Sequence, residues 1–167
     1  KSTKRIRALQ NGNDATGECD KASLQNPNLL FTDNPEQLRA ADFYIIAVPT
    51  PVDEDNRPDL SILLGASETI GNYLTFGDIV VYESTVFPGA TEEACGPVLA
   101  KTSGLVCGVD FTLGYSPERI NPGDKEHQLK TITKIVAGQD QRTLDIVADV
   151  YGSIIDAGIY RAKNIKT

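Results

Sequence analysis

The chain has 167 residues, 40% of them hydrophobic and 23% charged, with a formal net charge of -7. That length suits one globular domain with a core of its own, and the acidic balance argues against a nucleic-acid surface, which needs clustered Lys and Arg. No apolar run approaches the length of a membrane-spanning helix, about 20 residues, and no signal peptide opens the chain.

In chain order, residues 3 to 11 place Ile6 and Leu9 at helical spacing ahead of Gly12, a helix with a glycine stop. A loop to Asn28 precedes a short strand-like run, Leu29 to Thr32. Asp33-Asn34-Pro35-Glu36 starts a brief helix that ends by Ala41. Phe43 to Val48 is an uninterrupted apolar run, the mark of a strand covered on both faces. Asp59 can cap a helix whose Leu60, Leu63, Leu64, Ser67, Ile70 and Leu74 share one face.

Gly77-Asp78 turns into strand Ile79 to Tyr82, and Thr91-Glu92-Glu93 opens a helix that Pro97 should kink. Strand Phe111 to Tyr115, a long loop and strand Ile132 to Ala137 follow. A helix carrying Leu144, Val147, Ala148 and Tyr151 and a last strand, Gly158 to Arg161, complete the order. The alternation predicts an α/β fold: a Rossmann-like, mostly parallel sheet with helices on both faces. Right-handed crossovers would place every strand's carboxyl end on one edge, where ligands of open sheets bind.

Three strands run into polar turns at that edge. Val48-Pro49-Thr50-Pro51 clamps a threonine between prolines, which suits a hydroxyl aimed at a nucleotide or simply a rigid turn. Glu83-Ser84-Thr85-Val86-Phe87-Pro88-Gly89 offers adjacent hydroxyls before a helix start, an anion or water site or a plain capping turn. Tyr115-Ser116-Pro117-Glu118-Arg119-Ile120-Asn121-Pro122-Gly123 puts a carboxylate beside a guanidinium. Glu118 can act there as a general base on water, or pair with Arg119 structurally.

Cys19, Cys95 and Cys107 lack metal-ligand or disulfide spacing, and His127 has no metal partner at suitable spacing, so no metal site is expected. Cys95 and Cys107 read as buried, inert thiols of a reducing compartment. The small basic clusters at both ends read as solvated faces.

Taken together in this order, the three turn motifs resemble the UDP-glucose/GDP-mannose dehydrogenase family, and within it the branch acting on UDP-N-acetylhexosamines. The resemblance runs over nearly the whole chain. It implies a cytoplasmic, NAD-dependent enzyme of polysaccharide biosynthesis that oxidises the sugar C6 alcohol to a carboxylate. The family does this with two NAD, through a cysteine-bound thiohemiacetal and thioester, and the parent enzyme would be a homo-oligomer, a dimer.

By that resemblance Thr85 holds the catalytic water and Glu118 helps activate it. Val48, Pro49, Thr50, Pro51, Ser84, Thr85 and Val86 contact NAD, with Arg5 near the adenosine ribose. Glu118, Arg119, Ile120 and Asn121 line the UDP-sugar site. The UDP-glucose branch carries a second glutamate where this chain has Pro122, which favours an acetamido sugar.

The resemblance also places the family's first strands and glycine-rich turn before Lys1, and its substrate domain and catalytic cysteine after Thr167. Residues 1–167 therefore read as a partial NAD-binding domain, inactive alone, whose strand Phe43 to Val48 becomes an apolar edge prone to association. Two other readings stand beside this one. They are a non-catalytic nucleotide-binding or assembly module of the same fold, and a β-hydroxyacid-type dehydrogenase fragment, which has no use for the Ser116-to-Gly123 loop.

Overall fold

A computed structural model describes residues 2–117 and 132–166. The chain forms two compact units, Lys1–Ala40 and Ala41–Thr167. In the first, helix α1 (Thr3–Gln10) is capped by Ser2, whose hydroxyl accepts from the Arg5 N–H. Gly12, at φ 73°, ends it as expected. The single turn α2 (Lys21–Leu24) is capped by Asp20, and Pro35–Ala40 forms the expected short helix as a 3-10 turn.

The expected strand at Leu29 to Thr32 does not form. A strand must pair its backbone groups. Here the Phe31 carbonyl instead accepts from the Gln10 side-chain amide at 2.8 Å.

The second unit carries a five-stranded sheet in the order β1 (Phe43–Ile46), β2 (Ile79–Tyr82), β3 (Thr112–Tyr115), β4 (Lys134–Gly138), β5 (Ile159–Arg161). β1, β2 and β3 are parallel, joined through α3 (Ser61–Gly71) and α4 (Gly96–Ser103). β4 runs antiparallel to β3, and β5 follows β4 in parallel after α5 (Gln141–Gly152). The sheet is thus mostly parallel, but the expectation of one common carboxyl edge fails for β4 and β5. An antiparallel pair needs no helical crossover, so the chain re-enters at the edge where β3 ends, with Ala137 opposite Tyr115.

β2 is buried along its whole length, as an unbroken apolar run requires. Its residues alternate between two helical layers. Ile79 and Val81 join Val136, Val147, Ala148 and Tyr151 in a core under α5. On the other face the Tyr82 hydroxyl meets Ser67 Oγ of α3 at 2.7 Å. The α3–α4 contact depends on Gly71, where a Cβ would fall 2.8 Å from Thr102 Cβ.

Asp59 accepts from the Ser61 N–H at 2.9 Å and so serves the start of α3. Pro97 does not kink a continuing helix. It occupies the first turn of α4, where its missing N–H costs no bond, directly after a π-helical turn, Thr91–Cys95, that absorbs the irregularity.

Candidate functional site at the carboxyl ends of the parallel strands

The last backbone rung between β1 and β2 runs from the Glu83 N–H to the Ile46 carbonyl at 2.9 Å. Beyond it Pro49 has no N–H to give, and a side chain continues the ladder instead. Ser84 Oγ donates to the Val48 carbonyl at 2.6 Å and accepts from the Val48 N–H at 3.1 Å. One turn further, Thr50 Oγ1 donates to the Thr85 carbonyl at 2.6 Å. These three bonds tie the two strand exits together beside a cleft of about 290 Å³, lined by Ala47, Val48, Pro49, Thr50, Glu83, Ser84 and Thr85.

Five of the expected site residues therefore meet: Val48, Pro49, Thr50, Ser84 and Thr85. Thr85 is exposed, whereas Ser84 is buried with its hydroxyl committed to Val48. Pro51 and Val86 continue the two walls outside the lining. Burial pushes the Tyr115 phenol up, offset in part by a hydrogen bond from the Val86 backbone, which ties the Ser84–Val86 segment to the end of β3.

Arg5 belongs to the first unit, where its guanidinium lies 4.0 Å from the Asp14 carboxylate. Glu118, Arg119, Ile120 and Asn121 lie outside the described residues. Among the described residues no cluster of His, Cys, Asp and Glu could hold a metal ion, and no helix is long and apolar enough to cross a membrane.

Sequence reasoning missed the support behind Glu83. Lys134 enters from the antiparallel strand, 3% exposed, with Nζ 3.3 Å from Glu83 Oε1. The Tyr151 hydroxyl donates to the same oxygen at 2.6 Å, and the ammonium stands 5.5 Å from the Tyr151 ring centroid, within cation–π range. The available signal was a lysine directly before the apolar run Ile135-Val136-Ala137; a charge there must find a partner or leave the core.

The residues that line the cleft include three with hydroxyls and one with a carboxylate, and no Lys, Arg or His is among them. Such a surface fits an uncharged ring and sugar hydroxyls better than a pyrophosphate, which calls for backbone N–H groups or basic side chains.

Residues 2–155 match the UDP-glucose/GDP-mannose dehydrogenase family, NAD binding domain. Protein CapL of Staphylococcus aureus is 60% identical over 97% of this chain and 38% of its own length. A UDP-N-acetyl-D-glucosamine 6-dehydrogenase of Salmonella typhi is 50% identical over 98% of this chain and 39% of its own. Among solved structures, the UDP-D-ManNAc dehydrogenase of Pyrococcus horikoshii superposes with TM-score 0.86 at 29% identity, over 98% of this chain and 40% of that one. The ternary complex of a GDP-mannose dehydrogenase from Pseudomonas aeruginosa gives 0.87 at 25% identity, over 99% and 40%. The chain spans 38% and 39% of the two curated relatives.

Proposed function

This chain belongs to the UDP-glucose/GDP-mannose dehydrogenase family, and on that premise we propose that it supplies the NAD-binding part of an enzyme oxidising a UDP-N-acetylhexosamine at C6 to the uronic acid. The observation that carries the reading is the cleft built by the Ser84–Val48 and Thr50–Thr85 bonds at the ends of adjacent parallel strands, where open α/β sheets bind ligands. The name of the relative at 50% identity, a UDP-N-acetyl-D-glucosamine 6-dehydrogenase, supports the same branch.

NAD supplies the hydride acceptor when bound. The chain's own residues form its seat: Val48, Pro49 and Thr50 on one wall, Ser84 and Thr85 on the other, flanked by Pro51 and Val86. The exposed Thr85 hydroxyl is free to hold a water, and Glu118 is assigned to activate that water as general base. Arg119, Ile120 and Asn121 are assigned to the UDP-sugar, and Arg5 to the adenosine ribose. The family's thioester route needs a reactive thiolate. Cys95 does not suit that role: it is buried, and desolvation pushes its thiol up. None of Cys19, Cys95 and Cys107 stands in the motif that the family resemblance gives the nucleophile, so that role is assigned to a cysteine outside this chain.

NADH production by the full-length protein against a panel of UDP-sugars tests the proposal. UDP-N-acetylhexosamines should each yield two NADH per sugar oxidised. Turnover of UDP-glucose alone would overturn the branch, and no NADH with any of them would overturn the enzyme.

A further inference from the structure

A lysine buried as deeply as Lys134 is costly to keep in a core, and its contacts all lie at the cleft end of the sheet. Its ammonium bonds Glu83 at the exit of β2 at 3.3 Å and the Pro117 carbonyl at the exit of β3 at 3.4 Å. Tyr151 of α5 supplies a second donor to the same carboxylate oxygen, at 2.6 Å. Three elements thus meet on one side chain that lines the cleft. Only the antiparallel direction of β4 makes this possible, because it brings the first residue of that strand to the edge where β2 and β3 end.

We propose that Lys134 is a positioning residue of the NAD cleft: it holds the Glu83 carboxylate in the cleft wall, where Glu83 accepts a hydrogen bond from a sugar hydroxyl or the carboxamide N–H of the bound dinucleotide. The inference rests on the cofactor reading above and adds two residues to it. Glu83 is fixed twice through Oε1, by Lys134 and Tyr151, which leaves Oε2 to accept from the dinucleotide with little rotamer freedom to lose on binding. Lys134 touches no ligand itself; its effect passes through Glu83.

NAD titration of the full-length protein by intrinsic fluorescence or calorimetry tests this with Lys134→Met, Glu83→Gln and the double variant. Each single substitution should weaken NAD binding about tenfold, and the double should be no weaker than the poorer single, since coupled residues do not add. A lysine that served only the fold would lower the melting temperature and leave the affinity of the folded protein unchanged. Unchanged affinity in Lys134→Met, or a double variant showing the product of both losses, overturns the proposal. Should Lys134→Met fail to fold, Tyr151→Phe with Glu83→Gln forms the same cycle, and additive losses there overturn it equally. Wild-type protein that binds no NAD would overturn the cofactor reading itself, a result separate from normal wild-type binding with unaffected variants.

Discussion

Ser84 and Val48 exchange two hydrogen bonds, 2.6 Å outward from the hydroxyl and 3.1 Å inward from the backbone N–H. One buried side chain thereby replaces the strand that Pro49 interrupts. Replacing it by alanine leaves both Val48 groups without their partner, at a point only partly open to water. Ser84→Ala should cost about 1–2 kcal/mol, read from the urea midpoint. A midpoint equal to the wild type's would show that water takes over the latch.

In the first unit, the Asp14 carboxylate accepts from the Thr16 hydroxyl, then the Thr16 N–H, with further N–H donors at Cys19 and Glu18. These bonds outweigh the opposing effect of desolvation and hold its acid form down to about 2, from an ordinary 3.8. A lowered folded value means the loop's stabilisation is complete above about pH 4 and fades as pH falls toward about 2. NMR titration of the Asp14 carboxyl should give a midpoint near the lower figure. A midpoint near the ordinary value would refute the loop geometry.

The three thiols should separate by reactivity. Cys19 is exposed, whereas burial pushes the Cys95 and Cys107 thiols up and lowers their thiolate fraction at neutral pH. A disulfide reagent at pH 8 should label Cys19 first, Cys107 slowly, and Cys95 only on unfolding. Equal rates would contradict the packing of Cys95 against Tyr82 and Ser67.

Gly138 closes β4 against the start of α5. A Cβ there would stand 2.3 Å from the Leu144 amide nitrogen and 2.7 Å from its Cα, both backbone atoms. No side chain can swing aside, so Gly138→Ala should destabilise at the upper end of about 1–3 kcal/mol for overpacking. Calorimetry would show it as a lower melting temperature. A wild-type melting temperature would mean that α5 shifts freely.

The elements of the second unit were legible in the sequence because their signals are local. The run Ile79 to Tyr82 announces a strand buried on both faces, and Leu63, Ser67 and Ile70 recur at the helical period. The turns after β1 and β2 could also be read, since Pro49, Pro51 and Pro88 fix where a strand must stop. Leu29 to Phe31 carries the same apolar signal yet forms no strand, because strand pairing needs a neighbour that local composition does not specify.

Strand direction, and with it Lys134, belonged to the tertiary structure. In sequence that residue is a charge at the start of the apolar run Ile135-Val136-Ala137, fifty-one positions after Glu83. Only the reversal of β4 carries its ammonium to the exits of β2 and β3. Turn chemistry and periodicity act within a few residues and so are written along the chain. The pairing of a buried charge is decided by which distant backbone packs beside it, because burial without that partner costs more than the fold can hold.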